Sequence, residues 1–495
     1  MKKHYLSKSD FLKYQTCPGY LWLWKNKREV VPVEEGEDVE RRIEQGIEVE
    51  NLARELFPDG ILVEDRLDKA KLKTEKLVDD GANTIFQATV ITDEGLLAMA
   101  DAIKRDESGD GWHIYEVKST TEIKKEHLMD ATFQKVAFEQ AGYKITDTNI
   151  VHLNKDYRKH GKIQPGGLFI TESVKDKVAE LEGDVKAMTL DAIEYIHKSD
   201  EPRTCSCNTK TKSGHCPTFK HFHSEVPEYS VYNLTRISEK KVNSLLDMEV
   251  YHVSDVPDDF ELTEKQRNQV TVAKIQRALI DHEQIRKELN SLKFPLYFLD
   301  YETVSTAVPL FDGTWPYQQV PFQYSLHVMK EPNGEVVHLE HLARKKDGHP
   351  IPGLLAQMKA DIGPIGSVIV WNKGFEMGRN REMAKDYPKY KAFLEGVNER
   401  VYDLMEIFSK QYHVHPDYHG SVSIKYVLPV LVPELSYKNL EDIQNGGLAT
   451  LRWYQSVATE MTEEKRNKIY QNLLTYCKLD TLAMVKIYEH LDTIT

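Results

Sequence analysis

The sequence predicts a mixed α/β protein in which two separate sets of acidic residues lie on strands. Short apolar runs of strand length alternate with longer stretches of helical periodicity, a pattern typical of α/β folds. A chain of 495 residues is long enough for two or three domains. We expect an N-terminal α/β domain over residues 1–225, a helical connector over 226–292 and a C-terminal α/β domain over 293–495.

The composition is that of an ordinary globular protein, with 40% hydrophobic and 29% charged residues. No apolar run approaches the length of a membrane span, and the first 30 residues lack a signal-peptide core. We therefore expect a cytoplasmic protein without a membrane partner. The net charge of -13 gives no general attraction to nucleic acid, so phosphate binding would depend on local basic surface.

Residues 36–57 have helical periodicity, with Ile43 and Ile47 on an apolar stripe. Glu50 lies near this stripe. It is either an acid that faces a site or a partly exposed glutamate of no special role.

Residues 96–119 are predicted to form a β-hairpin, because two apolar-rich runs flank the turn-forming cluster at 107–111. The midpoint between Asp101 and Glu116 falls inside this turn, so a symmetric hairpin places the two carboxylates opposite each other. Glu116 and Lys118 are two residues apart and leave the same face of their strand. Two acids and a lysine on one face indicate a site for Mg²⁺ or Mn²⁺. The lysine would position or deprotonate water, or neutralise charge in the transition state.

The next segments predict a helix over 122–142, which contains Asp130 and Gln134, and a longer helix over 173–198. Three cysteines follow the longer helix. The five cysteines of the chain are too few for a disulfide scaffold, and clustered cysteines in a cytosolic protein more often bind metal or iron–sulfur. Cys477, among apolar residues of the last predicted helix, is interpreted as a core residue.

The order of these residues resembles the PD-(D/E)XK nucleases of the Cas4 and RecB type over roughly residues 5–220. The matching positions are Cys17, Gly46-x-x-x-Glu50, Asp101, Glu116-x-Lys118, Gln134 and the three late cysteines. The resemblance implies a restriction-endonuclease-like fold, metal ligation by Asp101 and Glu116, a catalytic Lys118 and a supporting Gln134. Glu50 would be a further metal ligand.

In those relatives, one early and three late cysteines hold a [4Fe–4S] cluster that joins the two ends of the domain. Cys17, Cys205, Cys207 and Cys216 match that count. The tight Cys205-x-Cys207 spacing departs from the usual pattern, which leaves Zn²⁺ as an alternative, with substitute ligands among the nearby histidines. Free thiols are the third possibility.

The C-terminal part carries a second set of acids. Asp300 and Glu302 are two apart on a predicted strand and share one face. Glu376 follows the strand predicted over 367–371, and Tyr476 and Asp480 share a face of the last helix at i and i+4. Four acids from separated segments are what a two-metal phosphodiester site needs.

This order resembles the DEDD 3′–5′ exonucleases with an RNase H-like fold over about residues 294–495. The Y-x-x-x-D form is similar to the subgroup in which the tyrosine, here Tyr476, would orient the attacking water. Glu376 stands where most of these enzymes have aspartate. Together with Ser421-x-Ser423-Ile-Lys425 and Gly446-Gly447, the two halves resemble the DUF2779 family, a Cas4-like nuclease fused to a DEDD-like domain.

We therefore expect a bifunctional metal-dependent nuclease that hydrolyses phosphodiester bonds of DNA, single-stranded or with free ends. DNA repair, mobile-element processing and phage defence are all compatible settings. No nucleotide-binding loop of the G-x-x-x-x-G-K-[ST] kind occurs, so unwinding would come from a helicase or another partner. The alternatives are a nucleic-acid-binding scaffold with only one active site and an exonuclease that processes RNA.

Overall fold

The computed structural model describes residues 5–33 and 36–495, and the predicted mixed α/β class is confirmed. The chain forms two compact units. The first comprises Met1–Val226 with Thr306–Tyr317, and the second comprises Pro227–Ser305 with Gln318–Thr495. The predicted connector, residues 226–292, thus folds almost entirely with the second unit. Among the described residues, every helix is too short or too polar to cross a membrane.

The first unit is built on a mixed seven-stranded sheet of order β2-β3-β4-β5-β6-β7, with β1 paired in parallel to β4. The strands are β1 (Leu6–Ser7), β2 (Ile61–Leu62), β3 (Thr84–Ile91), β4 (Leu96–Arg105), β5 (Trp112–Lys118), β6 (Ile145–Leu153) and β7 (Phe169–Ser173). The helices are α1 (Lys8–Thr16), α2 (Pro18–Asn26), α3 (Glu37–Arg54), α4 (Asp68–Asp79), α5 (Lys125–Gln140), α6 (Pro165–Leu168), α7 (Lys175–Ile196) and α8 (Phe219–Phe222). Short 3₁₀ turns lie at Arg28–Val30 and Lys212–Gly214.

The predicted hairpin is present as β4 and β5. These strands pair antiparallel with Ala102 opposite Tyr115, the register expected from a turn centred between residues 108 and 109. Gly109 has φ of 78°, a left-handed conformation that glycine adopts without steric cost. The turn chemistry therefore sets which side chains of the two strands face each other.

Two cores cover the two faces of this sheet. On one face, residues of α1, α4, α5 and α7 pack on β3, β4 and β5, and the fully buried Phe11 and Phe133 stack at 5.3 Å between ring centroids. On the other face, α3 and β6 pack with Ala307 and Val308. Both of these residues belong to the segment Thr306–Tyr317, which is separated in sequence from the rest of the first unit by Pro227–Ser305 of the second. Ala307 N also donates to Gln45 Oε1 at 2.8 Å.

The second unit is built on a five-stranded mixed sheet of order β11-β10-β9-β12-β13, with a separate two-stranded pair of β14 and β8. The strands are β8 (Leu279–Ile280), β9 (Leu296–Val304), β10 (Val320–Met329), β11 (Val336–Leu342), β12 (Ser367–Val370), β13 (Val401–Asp403) and β14 (His413–Val414). The helices are α9 (Glu239–Asp247), α10 (Glu264–Ile275), α11 (His282–Asn290), α12 (Pro350–Asp361), α13 (Lys373–Asp386), α14 (Lys391–Asn398), α15 (Glu406–Ser409), α16 (Ile424–Leu431), α17 (Gly446–Ala458) and α18 (Glu463–Ile494). Further 3₁₀ turns lie at Val231–Asn233, Val253–Asp255, Lys345–Asp347, Pro388–Tyr390, Pro416–Tyr418 and Tyr437–Asn439.

Strand β9 is central in this sheet, antiparallel to β10 and parallel to β12. The long helix α18 begins at a capping residue, Thr462, and packs its apolar stripe on the sheet. Fully buried Phe298 of β9 belongs to the same core as Met484 and Ile487 of α18. Side chains of β9 alternate between faces, so the positions two and four residues after Phe298 also face α18.

Candidate metal centres

The first acidic centre lies at the ends of β4 and β5. Trp112, Ile114 and Glu116 of β5 are all buried on one face, so Glu116 continues an apolar row. Glu116 is only 1% exposed. Asp101 of β4 accepts a hydrogen bond from the backbone N–H of Val117 at 2.8 Å, which ties the two strands together where the acids meet. A carboxylate buried in this way needs charged or hydrogen-bonding partners.

Glu116 receives three side-chain hydrogen bonds. Lys118 Nζ and Lys8 Nζ each lie 2.7 Å from its Oε1, and Gln134 Nε2 donates to Oε2 at 2.5 Å. Asp130 completes the cluster, because it forms an ion pair with Lys118 and lies 3.5 Å from Lys8 Nζ. Asp130 and Gln134 are one turn apart on α5, and Lys8 opens α1. Three segments thus converge on one buried carboxylate.

The two lysines set the electrostatics of this centre. Burial alone would raise the pKa of Glu116, but the charges of Lys8 and Lys118 and the bond from Gln134 outweigh it and lower the pKa. Burial and the charge of Glu116 raise the pKa of Asp101 to about 8. Burial would lower the pKa of Lys8, yet the neighbouring carboxylates raise it. Glu116 is therefore held as an anion, whereas at Asp101 burial and the charge of Glu116 outweigh the charge of Lys8.

Glu50 reaches the same centre from α3. Its Oε1 accepts from Gln87 Nε2 and from Arg54 Nη2, the latter at 2.5 Å, and Gln87 Nε2 also lies 3.5 Å from Asp101 Oδ1. The structure therefore brings together five residues that the sequence predicted for this site: Glu50, Asp101, Glu116, Lys118 and Gln134.

Two residues of this centre were missed in the sequence. Gln87 is the one amide residue of strand β3, whose other residues are apolar or threonine, and this is a weak signal; its φ of 54° is left-handed. Lys8 carries no local signal, because its contact with Glu116 spans 108 positions of the chain.

The cysteine cluster joins the start of the first unit to its last segment. Cys17 lies between α1 and α2, and its sulfur lies within 4.8 Å of those of Cys205, Cys207 and Cys216. All four cysteines are buried and reduced. Two of the sulfur separations are 3.0 Å (Cys205 to Cys207) and 3.4 Å (Cys207 to Cys216).

These four thiols could coordinate one metal ion, because their sulfur atoms all lie within 4.8 Å of one another. Tetrahedral zinc separates its sulfur ligands by about 3.8 Å. A [4Fe–4S] cluster binds each thiolate to a different iron, so its sulfurs would have to spread. The candidate group in the described chain consists of cysteines alone. His221 instead bonds Glu201 at 2.6 Å, and His223 lies 3.2 Å from Glu225.

The second acidic centre lies between β9 and α18. Asp300 and Glu302 are on the face of β9 that continues from Phe298 toward the helix. Glu302 is 8% exposed. Asp480 of α18 lies close enough for its charge to raise the pKa of both Asp300 and Glu302, in addition to the larger effect of burial.

Glu376 enters this centre from the first turn of α13. The helix start is fixed by Asp403, whose carboxylate accepts from the backbone N–H groups of Asn372 at 3.0 Å and Lys373 at 2.9 Å. Glu376 is 2% exposed, and its Oε2 has no hydrogen-bond partner within the described part of the chain. Its charge also raises the pKa of Asp300. The predicted acids of the C-terminal part are therefore neighbours.

Two tyrosines contact Asp480. Tyr437 OH donates to Asp480 Oδ1 at 2.6 Å, and Tyr476 also bonds this carboxylate. Tyr437 was missed, because it lies in a 3₁₀ turn with no pattern that points to a site. The charge of exposed Lys425 lowers the pKa of Glu302 and Asp480 against the larger effect of burial.

The acids of this centre are held close together without a lysine or arginine bonded to them in residues 5–33 and 36–495. Burial raises the pKa of Glu376 to about 8 and that of Asp480 to about 6. Buried carboxylates that repel one another, with an orphaned oxygen on Glu376, are what a divalent cation would stabilise. The residues therefore fit Mg²⁺ or Mn²⁺.

Cys477 is fully buried, as a core residue should be, but its surroundings differ from the apolar ones predicted. Its Sγ lies 3.9 Å from Asp300 Oδ2, and one oxygen each of Asp300 and Glu302 lies within 4.8 Å of it and of each other. The amino-acid type alone indicated a buried position and gave no sign of these neighbours.

The protein thus combines two acidic centres and a thiol cluster on a mixed α/β fold. Residues 297–423 match the family model described as "Domain of unknown function (DUF2779)". The match includes Asp300, Glu302 and Glu376 and excludes Asp480 and the first centre. The predicted resemblance to that family is confirmed over this range alone.

Three curated relatives are similar to the chain, and all are uncharacterized. UU173 of Ureaplasma parvum is 26% identical over 217 residues, which cover 40% of this chain and 31% of the relative. The MG366 homolog of Mycoplasma pneumoniae and MG366 of Mycoplasma genitalium are each 26% identical, and the matches cover 40% of this chain and 32% of each relative. The chain thus matches about a third of the length of these relatives.

Proposed function

We propose that the protein is a bifunctional metal-dependent nuclease with one phosphodiester-cleaving centre in each unit. The observation that supports this proposal most is the second centre, where acids from β9, α13 and α18 meet without a bonded cation from the described chain. Mg²⁺ or Mn²⁺ bound at such acids polarises a phosphodiester and stabilises the charges of attack and departure. The first centre supplies acids and lysines to the same reaction class. DNA is the proposed substrate.

In the second centre the chain positions the acids before substrate arrives. Asp300, Glu302, Glu376 and Asp480 would hold the cations. Tyr437 fixes Asp480 by donating to Oδ1, which leaves Tyr476 to orient water at the same carboxylate. Lys425 is exposed and its charge acts on the acids, so it would attract the phosphate backbone.

In the first centre Asp101 and Glu116 would hold a cation, with Glu50 beside them. Lys118 lies 2.7 Å from Glu116 and would neutralise charge that develops on the phosphate. Gln134 orients Glu116 through its bond to Oε2. Lys8 bonds the same Oε1 of Glu116 as Lys118, and a cation at this oxygen would require Lys8 to withdraw.

We also propose that the four cysteines of the first unit form a metal clasp. The resemblance to Cas4-type nucleases favours [4Fe–4S], and the short sulfur separations suit a single zinc ion. Iron, acid-labile sulfide and zinc analysis of the purified chain separates these two states. A chain that carries none of the three would overturn the clasp.

The test of nuclease function uses end-labelled single-stranded DNA, duplex DNA and RNA with Mg²⁺ or Mn²⁺. We expect wild type to cut DNA, and Glu116→Ala/Lys118→Ala and Asp300→Ala/Glu302→Ala each to lose about a hundredfold at its own centre. If Glu116→Ala/Lys118→Ala still gives a ladder of products shortened from the 3′ end, the second centre cuts without the first. Intact substrates throughout would contradict the proposal.

The matched control is Lys76→Ala/Asp80→Ala, which removes an exposed acid–lysine pair from α4 of the first unit. This pair has the same chemistry as Glu116 and Lys118, but both side chains face solvent. Cutting should be unchanged in the control. If the control loses as much activity as the Glu116 variant, the loss reflects folding and says nothing of the site.

A further inference from the structure

The second centre contains a donor that an oxygen-only magnesium site lacks. Cys477 and Asp480 are three apart on α18, so both side chains leave the face of the helix that packs on β9. Cys477 Sγ is fully buried and lies 3.9 Å from Asp300 Oδ2. The thiol is therefore part of the acidic cluster, although it belongs to a residue type usually found in apolar surroundings.

The spacing of these atoms is close to that of ligands on one ion. One oxygen of Asp300, one oxygen of Glu302 and Cys477 Sγ all lie within 4.8 Å of one another. Tetrahedral zinc separates sulfur from oxygen ligands by about 3.6 Å, so the observed 3.9 Å needs only a few tenths of adjustment. Glu376, whose charge acts on Asp300, has a buried Oε2 without a partner in the described chain and would be a third oxygen and fourth donor.

We propose that Asp300, Glu302 and Cys477 form a mixed oxygen–sulfur site that binds a thiophilic dication, Zn²⁺, in preference to Mg²⁺. Thiolate ligands favour zinc and cadmium, whereas magnesium takes oxygen ligands almost alone. On binding, the Sγ–H proton passes to solvent and the sulfur lone pair forms the bond to the metal, so no oxidant is required. This inference concerns the same centre as the proposed function, and it replaces Mg²⁺ or Mn²⁺ by Zn²⁺ at the position beside Cys477.

The test is metal binding by the full chain, with Cd²⁺ as the thiophilic probe and Mn²⁺ as the oxygen-preferring one. Cys477→Ser keeps the side-chain size and exchanges sulfur for oxygen. We expect this variant to bind Cd²⁺ about tenfold more weakly while Mn²⁺ affinity stays within about twofold. The oxygen-donor control Asp300→Asn should weaken both ions. If Cys477→Ser leaves Cd²⁺ affinity unchanged, or lowers both affinities together, the thiol is a packing residue only.

A measurement on wild type keeps the test independent of the variants. Cadmium NMR separates all-sulfur coordination, expected at the four-cysteine cluster, from mixed oxygen–sulfur coordination. We expect a mixed resonance in wild type, and its absence would overturn the inference. Both readouts stand apart from cleavage, so a chain that cuts no nucleic acid yet shows the mixed resonance loses the nuclease proposal and keeps the metal site.

Discussion

The two acidic centres both bury carboxylates, but only the first places lysines of the described chain in contact with them. In the first, Lys8 and Lys118 lie 2.7 Å from Glu116, so the buried anion is neutralised by the chain itself. In the second, Asp300 and Glu302 face Asp480 with no bonded lysine or arginine in the described residues, and their pKa values are raised. Removing one partner from the compensated centre would leave a buried charge unpaired, whereas the uncompensated acids depend on a cation from solution.

The largest expected effect follows from breaking the compensated centre. Glu116→Gln leaves Lys8 and Lys118 beside a neutral amide in a buried site, and we expect a loss of about 3 kcal/mol in the free energy of unfolding. Urea denaturation of the first unit's transition measures it. Lys76→Ala, at an exposed ion pair, should change the same quantity very little. A loss no larger than that of the control would show that the lysines do not stabilise Glu116.

Removal of acids from the second centre should raise the free energy of unfolding. Asp300→Asn/Glu302→Gln removes charges that repel Asp480, so we expect a gain on the order of 1 kcal/mol in buffer without added divalent cations. The gain should disappear when Mn²⁺ is added, because only wild type binds Mn²⁺ at the second centre. The same denaturation experiment, run with and without Mn²⁺, measures both. Destabilisation of the variant in the absence of Mn²⁺ would contradict the proposed repulsion.

A smaller effect concerns the ease with which a cation enters the first centre. Lys8 is partly exposed, and Lys8→Met removes one of the two charges that compete for Glu116. We expect Mn²⁺ to bind the first centre about fivefold more tightly, the equivalent of about 1 kcal/mol. Calorimetric titration in an Asp300→Asn/Glu302→Gln background isolates this centre.

Lys13→Met is the matched control for this titration, since Lys13 lies on the same helix and bonds the backbone of Ser9. Its removal should leave Mn²⁺ affinity unchanged. Equal affinities in the Lys8 and Lys13 variants would mean that Lys8 does not compete with a cation.

The parts of both centres that depend on local geometry could be predicted from the sequence. The turn at residues 107–111 set the register of β4 and β5 up to Ala102 opposite Tyr115, which brings Asp101 near Glu116, and helical spacing placed Tyr476 and Asp480 on one face. Such inferences need only the periodicity of a strand or a helix. The cysteine cluster could be predicted for a different reason. Clustered cysteines in a chain with too few of them for a disulfide scaffold commonly bind a metal.

The parts that depend on long-range packing could not be predicted. Lys8, Tyr437 and Cys477 reach their partners across 108, 43 and 177 positions. The role of Asp403 is of the same kind. It ends β13, and its carboxylate holds the start of α13 across about 30 positions of the chain.

The segment Thr306–Tyr317 has a consequence for how the protein is made. The first unit needs Ala307 and Val308 to complete one of its cores, but these residues emerge about 80 positions after Val226 during synthesis. The core of the nascent N-terminal unit therefore stays incomplete until β9 and the segment after it have been translated. A chain that stops at residue 226 would expose the apolar surface around Val151 and Leu168 and would be prone to aggregate.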